Sequence, residues 1–351
     1  SLVQRSRLPG KLELARAAVH KTETRAQTLA RMDEALKAQQ PLAVYSQRDH
    51  LVALYSDLAE DRAVIDRLLK ANELIRLAAR FDASSRAAET TPLPDPLGPP
   101  LTLVLRDPAP TGSSPAPAPA LETVETVVYA LAEGLAFGLD GATGAPLWQS
   151  AVGLSAPFAP LPIPGGEPAA LLVDSRDGEV DELLRVDGRT GRLVWRQSLD
   201  ERVADPPLIL GNHVIQPLPS GKLSWIDLAS GARQGTLELG RPLSRTPRAD
   251  ESGQFLYQLA DEANLFVIRR DPPSCQAVVY LGQDAGSVPC PPARVGRFLI
   301  VPRNTMTGDG LWSVFVLDED GARPRPAQTI PIEGWTWDSP PSMGSVIWSL
   351  G

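Results

Sequence analysis

His20, His50 and His213 are the only imidazoles in the chain. Acid–base, nucleophilic and metal chemistry near neutral pH leans on this side chain, so their placement is the first test. His20 and His50 lie in helical sequence 30 residues apart, and His213 opens an apolar strand-like run. No HExxH, GxSxG, CxxC or P-loop spacing occurs, so a lone strand histidine such as His213 reads as structural. Cys275 and Cys290, the only cysteines, are 15 residues apart, which is neither a disulfide framework nor a metal quartet. They read either as one disulfide, worth about 3 kcal/mol in an oxidising compartment, or as two buried small apolar residues. The acidic run DSRDGEVDE, Asp174 to Glu182, can attract Ca²⁺ but lacks the fixed spacing of a calcium loop, and a solvated hairpin explains it equally well. The residues predict no catalytic, metal or cofactor site.

The totals narrow the classes further. Residues 1–90 hold 15 Lys and Arg against 12 Asp and Glu, whereas the remainder holds 19 against 30. A net-negative body repels phosphate backbones, so nucleic acid is not an expected partner. No run of 18 apolar residues is present, so no transmembrane segment is expected. The chain opens without Met and without a charged-then-apolar leader, which fits a removed signal or anchor, or a piece of something longer. Pro and Gly make up about 18% of the residues, which suits many short strands separated by turns.

Three regions must position whatever the chain does. Residues 1–82 form the first region, and 11–82 predict helix: Leu51, Leu54, Leu58, Ile65, Leu68, Leu69, Ile75 and Ala79 recur at helical steps, Leu12 to Leu36 suggests a first helix, and Pro41 separates the two. Ser46 and Asp49 are the candidate caps of the second helix. The region reads as a helical hairpin packed on itself or on the rest of the chain, or as a coiled-coil arm for oligomerisation, although Asp61 and Asn72 interrupt a strict heptad. Residues 83–125 are rich in Pro, Ala and Ser and read as a linker, with LTLVLRD (Leu101 to Asp107) as one isolated strand.

From residue 126 to residue 351 the chain repeats itself. LDGATGAPLW carries Asp140, Thr143, Gly144 and Trp148; VDGRTGRLVW carries Asp187, Thr190, Gly191 and Trp195; a weaker copy carries Asp227, Ser230 and Gly231. Degraded copies centre on Asp271 and Asp318, so the Asp positions step by 47, 40, 44 and 47 residues. An independent series, Pro157, Pro207, Pro247, Pro292 and Pro341, steps by 50, 40, 45 and 49. Asp and Thr bond nearby backbone N–H groups, Gly closes the hairpin, and Trp offers a flat surface to a neighbouring sheet. Four short strands per unit is propeller spacing, so the fold class is mainly β: a β-propeller of four-stranded blades with an N-terminal α-helical hairpin.

The pattern Asp-x-x-Thr-Gly-x-x-x-Trp at Asp140–Trp148 and Asp187–Trp195 resembles the tryptophan-docking repeat of the pyrroloquinoline-quinone (PQQ)-like propellers. That superfamily includes quinoprotein alcohol dehydrogenases and the BamB-type lipoproteins of outer-membrane barrel assembly. Gly235 stands where the third docking Trp belongs, so a looser blade interface is expected there. The family's usual ring has seven or eight blades. This chain makes five if WTWDSPPSMGSVIWSL pairs with TVVYALAEGLAFGL in a composite blade, and otherwise part of a larger ring. The resembled enzymes hold their quinone under a vicinal Cys-Cys disulfide, which this sequence lacks. The resemblance therefore implies a non-catalytic scaffold for protein partners, extracytoplasmic in the periplasm or cell envelope. A small-molecule-binding or sensor propeller, as a fragment of a larger protein, is the alternative.

Overall fold

The computed structural model describes residues 8–90, 126–176, 178–306, 308–336, 342–343 and 346–347. Three helices come first: α1 (Leu8–Lys37), α2 (Pro41–Leu54) and α3 (Arg62–Ala78), with a 3₁₀ turn at Ser56–Leu58. The hairpin expectation is corrected at both junctions. Pro41 begins a helix of its own at the first position, where its missing N–H costs nothing. Asp61, read above as an interruption, is the N-cap of α3 and accepts from the N–H groups of Ala63 and Val64 at 2.9 and 3.3 Å. Ser46 and Asp49 fall inside α2 and cap nothing. Asp61 also binds Arg25 of α1 through both carboxylate oxygens. Asp61→Ala is expected to cost about 1 kcal/mol for the lost cap, measurable as a lower midpoint in urea with unchanged slope.

Antiparallel sheets follow, here called blades. Blade I is β2 (Val127–Ala132), β3 (Leu135–Asp140) and β4 (Pro146–Ala151); blade II is β5 (Leu161–Pro162), β6 (Ala169–Asp174), β7 (Glu182–Asp187) and β8 (Leu193–Ser198). Blade III is β9 (Leu208–Leu210), β10 (His213–Leu218), β11 (Lys222–Asp227) and β12 (Arg233–Glu238). Blade IV is β13 (Leu243–Ala249), β14 (Phe255–Ala260), β15 (Asn264–Arg269) and β16 (Ser274–Tyr280). Blade V is β17 (Ala293–Val295), β18 (Phe298–Asn304), β19 (Gly310–Val316) and β20 (Arg325–Ile332). A bulge interrupts the pairing of the last two strands in every one of these blades, just before the Asp-marked hairpin. The degraded copies at Asp271 and Asp318 thus keep the local geometry after losing the motif. The proline series also has a place: Pro207 and Pro292 precede the short first strands β9 and β17, and Pro247 sits in β13 beside a bulge, where no ladder N–H is needed.

Blades stack in chain order through apolar faces. Trp148 meets Leu172 and Leu184, Trp195 meets Val214 and Ile226, and Tyr257 and Val267 meet Val301 and Phe315. The middle strands β6, β14 and most of β15 are buried on both faces, which is why their sequences run apolar without alternation. β21 (Ser342–Met343) and β22 (Val346–Ile347) pair with each other. Among the described residues neither pairs with β2, so the composite closing blade is not among the observed pairings.

The helices are part of the stack. Met32, Val44, Leu51, Val64, Leu68, Ala71 and Ile75 share one core with Trp225 of blade III and Leu256, Phe266, Ile268 and Val278 of blade IV. The part of the helical stripe formed by Leu51, Leu58, Leu68 and Ile75 is therefore buried against blades III and IV, whereas Leu54, Ile65 and Leu69 stay exposed. The first residues of the expected linker are docked too. β1 (Arg80–Asp82) adds a fifth strand to β12, after which Arg86 pairs with Arg233 and Glu89 with Arg196 of β8. The chain thus crosses the outer edges of blade III and then blade II, so residues 83–90 correct the linker boundary. Leu101 to Asp107 lies outside the described residues. No helix among the described residues is long and apolar enough to cross a membrane.

Candidate functional site

Each intact repeat turn is built the same way. Asp140 Oδ1 accepts from the N–H groups of Ala142 and Thr143 and from Thr143 Oγ1, the last at 2.7 Å. Asp187 does this with Arg189 and Thr190, and Asp227 with Ser230. Gly144, Gly191 and Gly231 each close the turn by an N–H bond to the Asp carbonyl.

The tryptophans then dock on the next blade's turn. Trp148 Nε1 donates to the Gly188 carbonyl at 2.7 Å, and Trp195 Nε1 to the Leu228 carbonyl at 2.9 Å. Their rings lie over Gly191 and Gly231, both at positive φ, where any Cβ would collide with the indole. Glycine is thus required twice over, for the left-handed turn and for the aromatic seat. These groups hold neighbouring blades together.

Electrostatics agree. Hydrogen bonds from Thr143 hold the Asp140 carboxyl below its ordinary range. Burial pushes Asp187 up, but the Thr190 and Arg189 hydrogen bonds and the Arg192 charge outweigh it, so the net shift is downward. A depressed carboxyl stabilises the fold fully above its unfolded value near pH 3.9 and loses that contribution as pH falls through the folded value. Asp187→Ala is expected to cost about 1 kcal/mol at pH 7 by analogy with a lost cap. The gap to the parent protein should shrink as pH falls below the ordinary carboxylate value near 3.9 and through the lower folded one, measured by urea unfolding across pH.

Past the third turn the aromatic seat relocates. The expectation of a looser interface at Gly235 is corrected, because Phe81 of β1 fills the space where a Gly235 side chain would stand. Phe81 also meets Trp225 edge to face at 6.0 Å. Between blades IV and V the seat is Tyr257, whose hydroxyl donates to the Gly321 carbonyl at 2.9 Å.

The structure does not bring the chemically capable residues together. His20 shares a hydrogen bond with Tyr55, His213 stands opposite Asp227 in the β10–β11 pair, and His50 lines a cleft beside α2. No disulfide joins Cys275 and Cys290, and both are buried. Cys275 faces the helical core, and burial pushes its thiol up to about 12, far from a thiolate nucleophile. In the acidic run, Asp174 pairs with Arg176, Asp181 accepts from Val203 N–H at 2.8 Å, and Glu182 lies 3.7 Å from Arg196. No metal-holding cluster of His, Cys, Asp and Glu occurs among the described residues.

What sequence reasoning missed is the seam between helices and blade IV. Tyr45 donates to Asn72 Oδ1 at 2.5 Å and accepts from Asn264 Nδ2 at 3.0 Å, so the Asn72 that broke the heptad is a polar tie to a blade. Tyr280 donates to Asp49 and stacks against Tyr45 at 4.5 Å. Two clefts open along this seam, one against Leu42, Leu77 and Leu239, the other against Asp49, Glu262 and Asp284.

The repeated Asp turns and seated tryptophans can now be compared with known proteins. Residues 125–242 match the family model described as Outer membrane protein assembly factor BamB. The PQQ-like, BamB-like resemblance therefore holds over blades I to III, where the turns are intact, and the matched span stops before the degraded copies. Among solved structures, BamB from Moraxella catarrhalis is 16% identical, with a TM-score of 0.43, over 64% of this chain and 75% of that one. A provisionally assigned 6-phosphogluconolactonase from Bacteroides uniformis is 20% identical, with a TM-score of 0.41, over 56% and 63%. No curated protein matches the chain. The BamB-like repeat thus accounts for the Asp, Gly and Trp positions, and the helical layer lies outside the matched residues.

Proposed function

We propose that the chain is a non-catalytic scaffold that holds protein partners in an extracytoplasmic, envelope-associated complex. The observation that carries this reading is the helical layer. Its inner face is built into blades III and IV, while Leu14, Val19, Leu42, Leu54, Leu69 and Leu77 stay exposed on the outside. Apolar surface kept on a rigid layer is a feature of interaction sites, and the repeat turns, whose polar groups bond their own backbone, supply the rigidity. The assembly-factor family matched by residues 125–242 supports the same reading by analogy of fold.

Affinity capture tests it. The full chain, immobilised and exposed to an envelope extract of its source organism, should retain one protein at defined stoichiometry, reproduced with the purified partner by light scattering. A chain that retains no protein and is stabilised against heat by a small metabolite would overturn the scaffold reading in favour of the sensor alternative.

A further inference from the structure

The outer face of α1 carries the wrong chemistry for solvent. A surface helix keeps its charges on the side away from the core. The packed side of α1 is ordinary: Thr28, Met32 and Ala35 are buried, and Lys21 and Arg25 reach Asp57 and Asp61 at its edge. About 140° round the helix, at about 100° per residue, Leu12, Ala15, Val19, Thr22 and Ala26 form a second stripe. It contains no charge, and all of it is exposed. Leu12 and Val19 are 53% and 57% exposed. Thr22 needs no outside partner, since its hydroxyl donates to the Ala18 carbonyl at 2.9 Å. Alternating steps of three and four residues are the spacing of a seam between two helices. From Leu12 to the half-buried Leu29 the seam runs about 26 Å.

The charges beside the stripe select what covers it. Arg16 and Glu23 flank it on one side, and both are exposed. Arg16 lies 3.1 Å from Glu13 of its own helix, whereas Glu23 has no ion pair among the described residues. Consider a second α1 laid antiparallel about a two-fold axis between residues 20 and 21. Leu12 then meets Leu29, Ala15 meets Ala26 and Val19 meets Thr22 of the other copy, each pair occurring twice. The alanine layers let the helix axes approach closely. In the same register Arg16 faces Glu23 across the seam, also twice. A parallel pair sets Glu23 against Ala18 instead, and an antiparallel pair shifted by one heptad sets Arg16 against Arg16.

We infer that α1 is a self-association face through which two copies of the chain pair as antiparallel helices. Charge complementarity selects this occupant, because one helix supplies both the charge and its counter-charge at the matching distance. The packed side of each α1 points away from the seam, so both copies keep their contacts with blades III and IV. Pairing presents every other surface of the chain in duplicate and does not depend on the scaffold reading.

Sedimentation velocity of the full chain over a range of concentrations tests it. The mass should rise from 37.6 kDa toward twice that value as concentration increases. Arg16→Glu and Glu23→Arg each replace two attractive pairs by two repulsive ones, so each should raise the dissociation constant at least about tenfold. The two changes together should restore it to within about threefold of the parent value. Val19→Glu should weaken pairing at least about tenfold. All three side chains are exposed, and melting temperatures check that the variants are folded. A chain that stays monomeric at every concentration would overturn the inference, as would a dimer indifferent to Val19→Glu. Single losses without recovery in the double variant would overturn the antiparallel register. A monomer that loses, on Val19→Glu, either capture of an envelope protein or binding to phosphatidylglycerol vesicles would give the face to that occupant and overturn self-pairing.

Discussion

Trp195→Ala is expected to lower the free energy of unfolding by about 4 kcal/mol, the largest single effect in the repeat. Trp195 is 1% exposed and packs among Leu171, Val173 and Leu183 of its own blade and Val214 and Ile226 of the next. The ring lies on Gly231, which has no side chain to move into the space left behind. The surrounding strands are held by ladders on both sides, so the void cannot collapse, and the cost includes the cavity as well as the lost burial. The Leu228 carbonyl keeps a bond from Arg185 at 3.0 Å, so an orphaned acceptor adds little. Trp195→Phe should therefore recover most of the loss, leaving about 1 kcal/mol for the indole N–H. Urea unfolding at 25 °C measures both. A loss below about 1.5 kcal/mol for the alanine variant would mean that the interface between blades II and III is not packed as described. A fall in the slope would mean that the blades unfold separately.

Removing residues 1–90 is expected to abolish compact folding of the remainder. Without the helices and β1, the face formed by Trp225, Leu256, Phe266, Ile268, Cys275 and Val278 is open to water. An exposed patch of that kind drives association, so residues 91–351 alone should elute as aggregates and bind a hydrophobic dye. Light scattering after size exclusion distinguishes this from a folded monomer. Leu51→Asp in the full chain asks the same question with one atom-scale change. Leu51 is fully buried in the shared core, and an unpaired carboxylate there should cost about 3 kcal/mol or more. A monomeric, cooperatively melting truncated form, together with a mild Leu51→Asp effect, would show the helices to be an accessory arm.

The repeat was the most legible feature because its signals are local. Asp140, Thr143, Gly144 and Trp148 interact across a few residues or with the next blade, at one fixed period, so spacing alone exposes them. Asp61 was legible as a charge and illegible as a cap, because periodicity cannot distinguish a residue that breaks a stripe from one that begins a new helix. Proline and alanine enrichment drew the linker boundary too early, at residue 83. Backbone pairing of Arg86 and Glu89 with outer strands needs no distinctive side chains and leaves no compositional mark. Gly235 read as a deficit because its replacement, Phe81, comes from far upstream in the chain. The two clefts of the helix–blade IV seam were hidden for the same reason: Leu42 meets Leu239 in one and Glu262 in the other only after the helices dock.

The union of helices with blade IV also bears on how the protein is made. Tyr45 finds Asn264, and Asp49 finds Tyr280, across 219 and 231 residues. The helices leave the ribosome before the blades, and the strands that cover them emerge only after some two hundred further residues. At translation speeds of about 5–20 residues per second, that interval is about 10–40 s. Throughout it, Val44, Leu51, Leu68 and Ile75 have no blade to cover them, so the nascent chain presents an apolar helical surface for as long as a holding chaperone needs to engage it.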